Sequence, residues 1–334
     1  MAIKDIATGD AAAVKLWDAK VYREVPKKSF WLNGMASADG SMPVHLKEQF
    51  GKGDGDRLTI TMIPRLKGAY IGETGTVIGN EESLSHYTFN LTAKEYNVPT
   101  SFKTKLATIR PAWDLPKEAQ TALMNRMGEV IDEELDTQLE TSPTKIFYTG
   151  SATSTATLTA TDKMTSTKLH QMKVWAKSGG NRAQNPIQTI KAGGMDGVYL
   201  FICGWDMYYD LLEDSAIQQS QREALPRMKD HPLFRDQDLF YRNILIRPHE
   251  NITLYTDGGS GSDVPYSYGY LVGASGLAWG WAQKPKLTQE AIDHQRILSL
   301  NYNFIGAPGK PKFNSLDWGV VAVAAARTQI TDAS

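Results

Sequence analysis

Apolar and polar residues alternate over 58–63, where Leu58, Ile60 and Met62 share one side and Thr59 and Thr61 the other. A period of two predicts a half-buried β-strand. The same alternation returns over 86–91 through Tyr87, Phe89 and Leu91, and predicts a second strand. Before the first strand, Gly53-Asp54-Gly55-Asp56 is a turn signal, since glycine accepts positive φ and aspartate bonds its own backbone. Between the strands lies a tip carrying Gly68, Gly72, Gly75 and Gly79. An isolated two-stranded ribbon is marginal in water. This one is expected to rest on another surface, as protruding ribbons often do on a neighbouring subunit.

Over 114–142 the pattern changes to three-to-four spacing, with Leu123, Met127, Val130, Ile131, Leu135 and Leu139 on one stripe. That predicts the longest helix of the chain. Asp114 suits the N-cap, Pro116 is tolerated in the first turn, and Ser142-Pro143 ends the run. Its last turns hold Glu129, Asp132, Glu133, Glu134, Asp136 and Glu140 without a basic residue between them, which reads as a solvated acidic face.

Helical spacing recurs over 165–177, closed by Ser178-Gly179-Gly180. Residues near 196–270 read as an α/β block, with a buried strand at 198–203, a helix at 205–213 and strands near 244 and 252–255. The serine- and threonine-rich stretch 149–161 reads as a loop or a short β excursion, and the segment 257–263 as a surface loop. Strict alternation at 297–304 and an apolar run at 318–323 return to β. No internal repeat is present, which argues against solenoids and propellers.

Residues 1–50 read as an arm, with a short helix near 11–17 and an extended stretch at 25–31. Trp17, Phe30 and Trp31 lack a dense apolar neighbourhood in the local sequence. They require burial against something distant in sequence, or against another chain.

Composition narrows the function. The chain has 334 residues, 36 Lys+Arg against 37 Asp+Glu, and 10% aromatics. It is long enough for about two domains or one large one, and not disordered. Near-zero net charge argues against a dedicated nucleic-acid binder. The charged N-terminus offers no signal peptide and no apolar stretch reaches membrane length. With a single cysteine, Cys203, inside an apolar run, no internal disulfide forms. A soluble protein of a reducing compartment is expected.

Catalytic motifs are missing from the sequence: there is no HExxH, CxxC pair, GxSxG, Walker A loop or GxGxxG opening a helix. The six histidines are scattered without metal-ligand spacing. Gly53–Asp56 lacks the further oxygen ligands of a calcium loop. Glu81 and Glu82, adjacent on a loop, make a poor acid pair for glycoside hydrolysis. No enzyme, cofactor or metal site is expected.

The order Gly53-Asp54-Gly55-Asp56, a strand, Arg65-Leu66-Lys67-Gly68, Gly72, then Gly79-Asn80-Glu81-Glu82 and Leu84 resembles tailed-bacteriophage major capsid proteins of the coliphage N-four type. These are similar in fold to the Hong Kong 97 capsid. The resemblance implies an α+β subunit with an N-terminal arm (1–50) and an extended E-loop hairpin (51–100). It also implies a P-domain (101–195) with a spine helix at 114–142, an A-domain (196–285), and C-terminal strands (286–334) returning to the P-domain.

It further implies subunit contacts through Arg65, Lys67, Gly68, Gly72, Asn80, Glu81 and Glu82 of the E-loop, and through Trp17, Phe30 and Trp31 of the arm. The implied function is self-assembly into hexamers and pentamers of an icosahedral shell around double-stranded DNA. The implied partners are copies of itself, portal and scaffolding proteins, a decoration protein, and DNA bound without sequence specificity; no membrane is involved. Assembly is expected in the host cytoplasm and the product is the virion capsid. The acidic end of the long helix is expected to face the lumen. The rival readings are a bacterial nanocompartment shell of the same fold, and a carbohydrate-active enzyme or tail protein.

Overall fold

The computed structural model describes residues 29–48, 57–102 apart from 64, 65, 67, 69, 74 and 85, 115–179, 186–224 apart from 193 and 194, and 239–329 apart from 295 and 296. In chain order the first elements are β1 (Ala36–Ser37), β2 (Val44–Lys47), β3 (Arg57–Met62), β4 (Tyr87–Thr92), β5 (Lys94–Phe102), α1 (Leu115–Glu140) and β6 (Ile146–Tyr148). There follow α2 (Ser166–Ser178), β7 (Ile190–Ala192), β8 (Met195–Cys203), α3 (Trp205–Leu212), α4 (Ser215–Ala224), β9 (Leu239–Tyr241) and β10 (Ile244–Pro248). The rest is β: β11 (Leu254–Gly258), β12 (Val264–Val272), β13 (Leu277–Ile292), β14 (Ile297–Gly309), β15 (Lys312–Phe313), β16 (Leu316–Asp317) and β17 (Val320–Ala326).

A strand covered on both faces must be apolar at every position, and β17, of sequence VVAVAAA, is buried throughout. Val321, Val323 and Ala325 face a core built with Leu169 and Met172 of α2 and Met207 of α3. Val320 and Ala322 face the opposite core, which contains Ile131 and Leu135 of α1. Only small residues fit there, because aromatic side chains of β12 such as Tyr268 and Tyr270 lie opposite. The strand order is β6-β17-β12-β8-β10-β9, with β11 joining at β12 and β7 at β8.

This pairing corrects the expected domain division. Strand β17 falls within the stretch 286–334 expected to return to the P-domain, yet it pairs antiparallel with β12 from Tyr266↔Ala326 to Val272↔Val320. It therefore lies inside the sheet of the 196–285 block. The expected boundary at 285 also falls within β13.

The second sheet has the order β1-β2-β13-β14-β5. Its axis is the ribbon of β13 and β14, in register from Ala278↔Gly309 to Ile292↔Ile297 with two interruptions. Lys94–Phe102 joins this sheet through β14 and is not part of the β3–β4 hairpin.

The hairpin itself forms as its alternation predicts, with Arg57 opposite Thr92 and Met62 opposite Tyr87. Its apolar side does not wait for a neighbour. Leu58, Ile60 and Leu91 pack on Ala278, Ala307 and Phe313 of the same chain. The seat is tight: a Cβ added to Gly309 would lie 2.3 Å from Leu91 Cδ2.

Helix α1 buries Leu123, Ile131, Leu135 and Leu139, the predicted stripe. Its last turn has no basic residue of its own. The open carbonyls find a cation from elsewhere: Lys310 Nζ donates to Leu139 O at 3.2 Å and Thr141 O at 2.5 Å. Lys312 Nζ donates to Ser142 O at 3.3 Å. In α2, Thr165 caps the start by accepting from Lys168 N, and Gly179 closes the end at φ +82°.

Burial pushes the Lys310 ammonium down from its ordinary 10.5 to about 8, against the attraction of Asp317, with Lys312 adding to the fall. Between those two pH values the unfolded chain binds the proton that the folded chain has released, so this group adds stability as pH rises through the interval. The stability gap between the wild type and Lys310→Met is expected to move in favour of the wild type between pH 7.5 and pH 10. Urea melts of both at the two pH values measure it. A gap that does not change would show that the proton on Lys310 is not coupled to folding.

Candidate functional site

A glycine-rich segment has few side chains with which to build a core, so whatever apolar groups it carries stay outside. Beyond the seat, the hairpin tip exposes Ile63, Leu66, Tyr70, Val77, Ile78 and Leu84, with Tyr70 94% and Ile78 85% accessible. These are the most prominent exposed apolar side chains of the described residues. Such an exposed apolar set is a candidate contact surface.

The tip is nonetheless organised. Gly75 N donates to Gly72 O at 3.0 Å and Asn80 N to Val77 O at 3.1 Å, closing two turns. Asn80 Nδ2 donates to Thr76 O at 2.9 Å. Gly79, at φ +89° where a side chain would be strained, donates its N–H to Glu81 Oε2 at 2.7 Å. Gly68 N donates to the Glu82 carboxylate.

The structure thus brings Gly68, Gly72, Asn80, Glu81 and Glu82 together at the exposed tip. The polar members bond within the loop. Arg65 and Lys67, which the resemblance places at a subunit contact, lie outside the described residues, as does Trp17. The sequence reading missed the apolar contribution. Its signal was present as Ile63, Leu66, Tyr70, Val77, Ile78 and Leu84 set among glycines, with no periodicity to give them an inner face.

The arm root takes one of the two expected courses. Trp31 is 0% exposed, in the core between α1 and the first sheet. Of the two outcomes open to it, burial against distant sequence is the one that occurs, so Trp31 has no surface to offer another subunit. Phe30 is half-buried, its ring stacked on His249 with centroids 4.2 Å apart at 26°.

Two carboxylates one helical turn apart hold this root. Asp132 accepts from Ser29 Oγ at 2.8 Å, Phe30 N at 2.7 Å and Trp31 N at 3.2 Å. Asp136 accepts from Trp31 Nε1 at 2.7 Å and Asn251 Nδ2 at 3.2 Å, and shares a 2.8 Å hydrogen bond with His249 Nε2. Burial pushes the Asp132 carboxyl above its ordinary range despite its three hydrogen bonds, and the nearby Asp136 charge adds to the rise.

The acidic face predicted for α1 is therefore not a bare run of charge. Asp132 and Asp136 point inward, and Glu140 accepts from Thr253 N at 2.9 Å and Thr253 Oγ1 at 2.5 Å. Glu129 and Glu133 both hold Arg126, at 3.1 and 2.7 Å. Glu134 pairs with Lys94 at 3.2 Å. The motive for turning this helix end toward a lumen disappears with those partners.

Among the described residues no group of His, Cys, Asp or Glu is arranged to hold a metal ion. Cys203 is fully buried, and burial raises its thiol well above the ordinary value, so it packs as a small apolar group. No helix among the described residues is long and apolar enough to cross a membrane.

Comparison with known proteins agrees with the shape of the subunit. A family model described as phage capsid protein matches residues 5–329. No curated protein matches the sequence. The solved capsid of Ralstonia phage GP4 superposes with a TM-score of 0.82 at 21% identity, covering 99% of this chain and 100% of that one. The capsid of cyanophage Pam1 follows at 0.78 and 22% identity, over 98% and 99% of the two chains. The acid-stable capsid of Helicobacter pylori bacteriophage KHP30 gives 0.75 at 13% identity, over 97% and 99%.

Proposed function

Since the chain belongs to the phage capsid protein family and has the Hong Kong 97-like capsid fold, we propose that its exposed hairpin tip is what each copy lays on a neighbour as the shell closes. The protein is a shell-forming major capsid protein and a component of the virion. Its family is structural, not enzymatic, and the nanocompartment, carbohydrate-active enzyme and tail-protein readings are not favoured.

The exposed apolar tip carries the proposal. In a lone subunit Tyr70 and Ile78 sit in water, which costs about 25 cal/mol per Å² of apolar area relative to burial. In a lattice they gain a second surface, repeated at every contact. The glycines let the loop follow that surface, and residues 65–84 as a whole, including Arg65, Lys67, Glu81 and Glu82, form the contact. The arm, through Trp17 and the flank of Phe30, makes a second overlap.

On this reading the subunits close as hexamers and pentamers of an icosahedral shell. The second sheet with α1 acts as the P-domain, and the first sheet with α2, α3 and α4 as the A-domain around capsomer centres. A net charge of −1 suits a container that holds double-stranded DNA without gripping its sequence. Scaffolding, portal and decoration proteins complete the set of partners, and assembly takes place in the host cytoplasm.

Electron microscopy of the purified protein, alone and with the phage scaffold, tests the reading. Closed shells or isolated capsomers are expected, and DNA is the expected content of shells recovered from infected cells. A monodisperse monomer under all of these conditions would sink it, and enzyme cargo in place of DNA would restore the nanocompartment alternative.

A further inference from the structure

Three stretches more than a hundred residues apart meet at Asp132 and Asp136: the arm root, the last turns of α1, and the corner after β10. We infer that Asp132 and Asp136 are positioning residues for assembly, clasping the root of the N-terminal arm to the long helix so that the arm's point of exit is set before a neighbour is met. The assembly half of this inference rests on the reading of 1–50 as an arm that reaches another subunit.

A buried carboxylate is tolerable only when donors surround it. Here the donors come from one narrow piece of backbone. Asp132 takes the consecutive N–H groups of Phe30 and Trp31 together with the Ser29 hydroxyl. Asp136 takes the Trp31 indole. Trp31 is thus held by its main chain on one carboxylate and by its ring on the next, which fixes both its place and its rotation.

On the far side Phe30 stacks on His249, with the Arg247 guanidinium 5.8 Å from the ring centroid. Sliding the root by one residue would leave two buried carboxylates facing the wrong groups. Apolar packing alone tolerates such slips; a register of buried hydrogen-bond acceptors does not. Fixing the root within the subunit also removes part of the ordering cost that a loose arm would meet on docking.

Hydrogen exchange on the full-length chain, kept below its assembly concentration, reads the clasp directly. Asp132→Ala is expected to speed exchange at Phe30 and Trp31 by about a hundredfold or more, with Leu200–Cys203 in β8 unchanged. Asp132→Asn, which keeps one accepting oxygen, should fall between. His249→Gln retains a donor toward Asp136 but loses the ring on which Phe30 stacks, and should loosen the root less than His249→Leu, which loses both.

Unchanged exchange at Phe30 and Trp31 in Asp132→Ala overturns the clasp. Faster exchange everywhere, β8 included, overturns the positioning role in favour of general destabilisation. Shell formation by the same variants reads the second half. Fewer or mis-sized shells from Asp132→Ala, with β8 still protected, support it, and wild-type shells refute it. Deleting 1–28 with the clasp intact tests the arm separately: wild-type shells there overturn the arm reading and, with it, the assembly role, while the exchange result stands.

Discussion

Deletion of residues 68–79 leaves a folded subunit that no longer closes shells. The segment lies beyond the hairpin seat, so Leu58, Ile60 and Leu91 keep their contacts with Ala278, Ala307 and Phe313. The β3–β4 register from Arg57↔Thr92 to Met62↔Tyr87 is also kept. Lost are Tyr70, Val77 and Ile78, which touch little of their own chain. Exposed positions contribute about 0.5 kcal/mol or less each to stability, so the melting curve should move by no more than a few degrees.

Assembly is a different matter. On the proposed role of the tip, each subunit gives up a contact that recurs at every neighbour, and small losses multiply in a closed lattice. Circular dichroism for the fold, with sedimentation and electron microscopy for the shells, separates the two effects. Shells at the wild-type yield would mean that the tip is not a joint of the lattice.

Trp279→Ala carries the largest expected cost to the subunit itself. The side chain is fully buried on β13, 5.3 Å from the Trp281 ring at 73° and 6.5 Å from Tyr96 at 28°. Its ring occupies space left by Gly306, where an added Cβ would lie 2.4 Å from Trp279 Cζ2. Removing a buried tryptophan costs about 3–5 kcal/mol, a large fraction of the roughly 5–15 kcal/mol that holds a domain folded.

Gly306→Val in the intact protein should be destabilising too, by overpacking of about 1–3 kcal/mol. Combined with Trp279→Ala, the same valine enters the vacated space, so the double variant should be more stable than the sum of the two losses implies. Denaturant melts of all four proteins give the coupling. Simple additivity would mean that the two residues do not share one cavity.

The sequence carried some of this plainly. Strands β3 and β4 were legible because one side of each is buried and the other wet, which leaves a clean period of two. Helix α1 was legible because Leu123, Ile131, Leu135 and Leu139 keep their stripe. Strand β13 was not, since Gln283, Lys284, Pro285 and Lys286 interrupt it and its length comes from pairing with β14.

Asp132 and Asp136 were read as solvated because acids on a helix usually are, and their partners at 29–31 and 249–251 are invisible to local pattern. Arg126 could have been read: it precedes Glu129 by three positions, a spacing at which helical side chains meet. The proposed contact surface was the least legible part. A surface that is finished only by another copy leaves glycines and stray apolar residues in the sequence, without a repeating pattern.

The place of β17 between β6 and β12 also has a consequence in time. Thr144 N, just ahead of β6, bonds to an Asp317 carboxylate 173 residues further along. At roughly 5–20 residues per second, translation leaves β6 waiting on the order of ten to thirty seconds for its neighbour. The hairpin emerges early, but Ala278, Ala307 and Phe313 beneath it emerge late. An interrupted polypeptide therefore lacks the seat for its hairpin, and on the proposed role of the tip it is not yet fit to join a lattice.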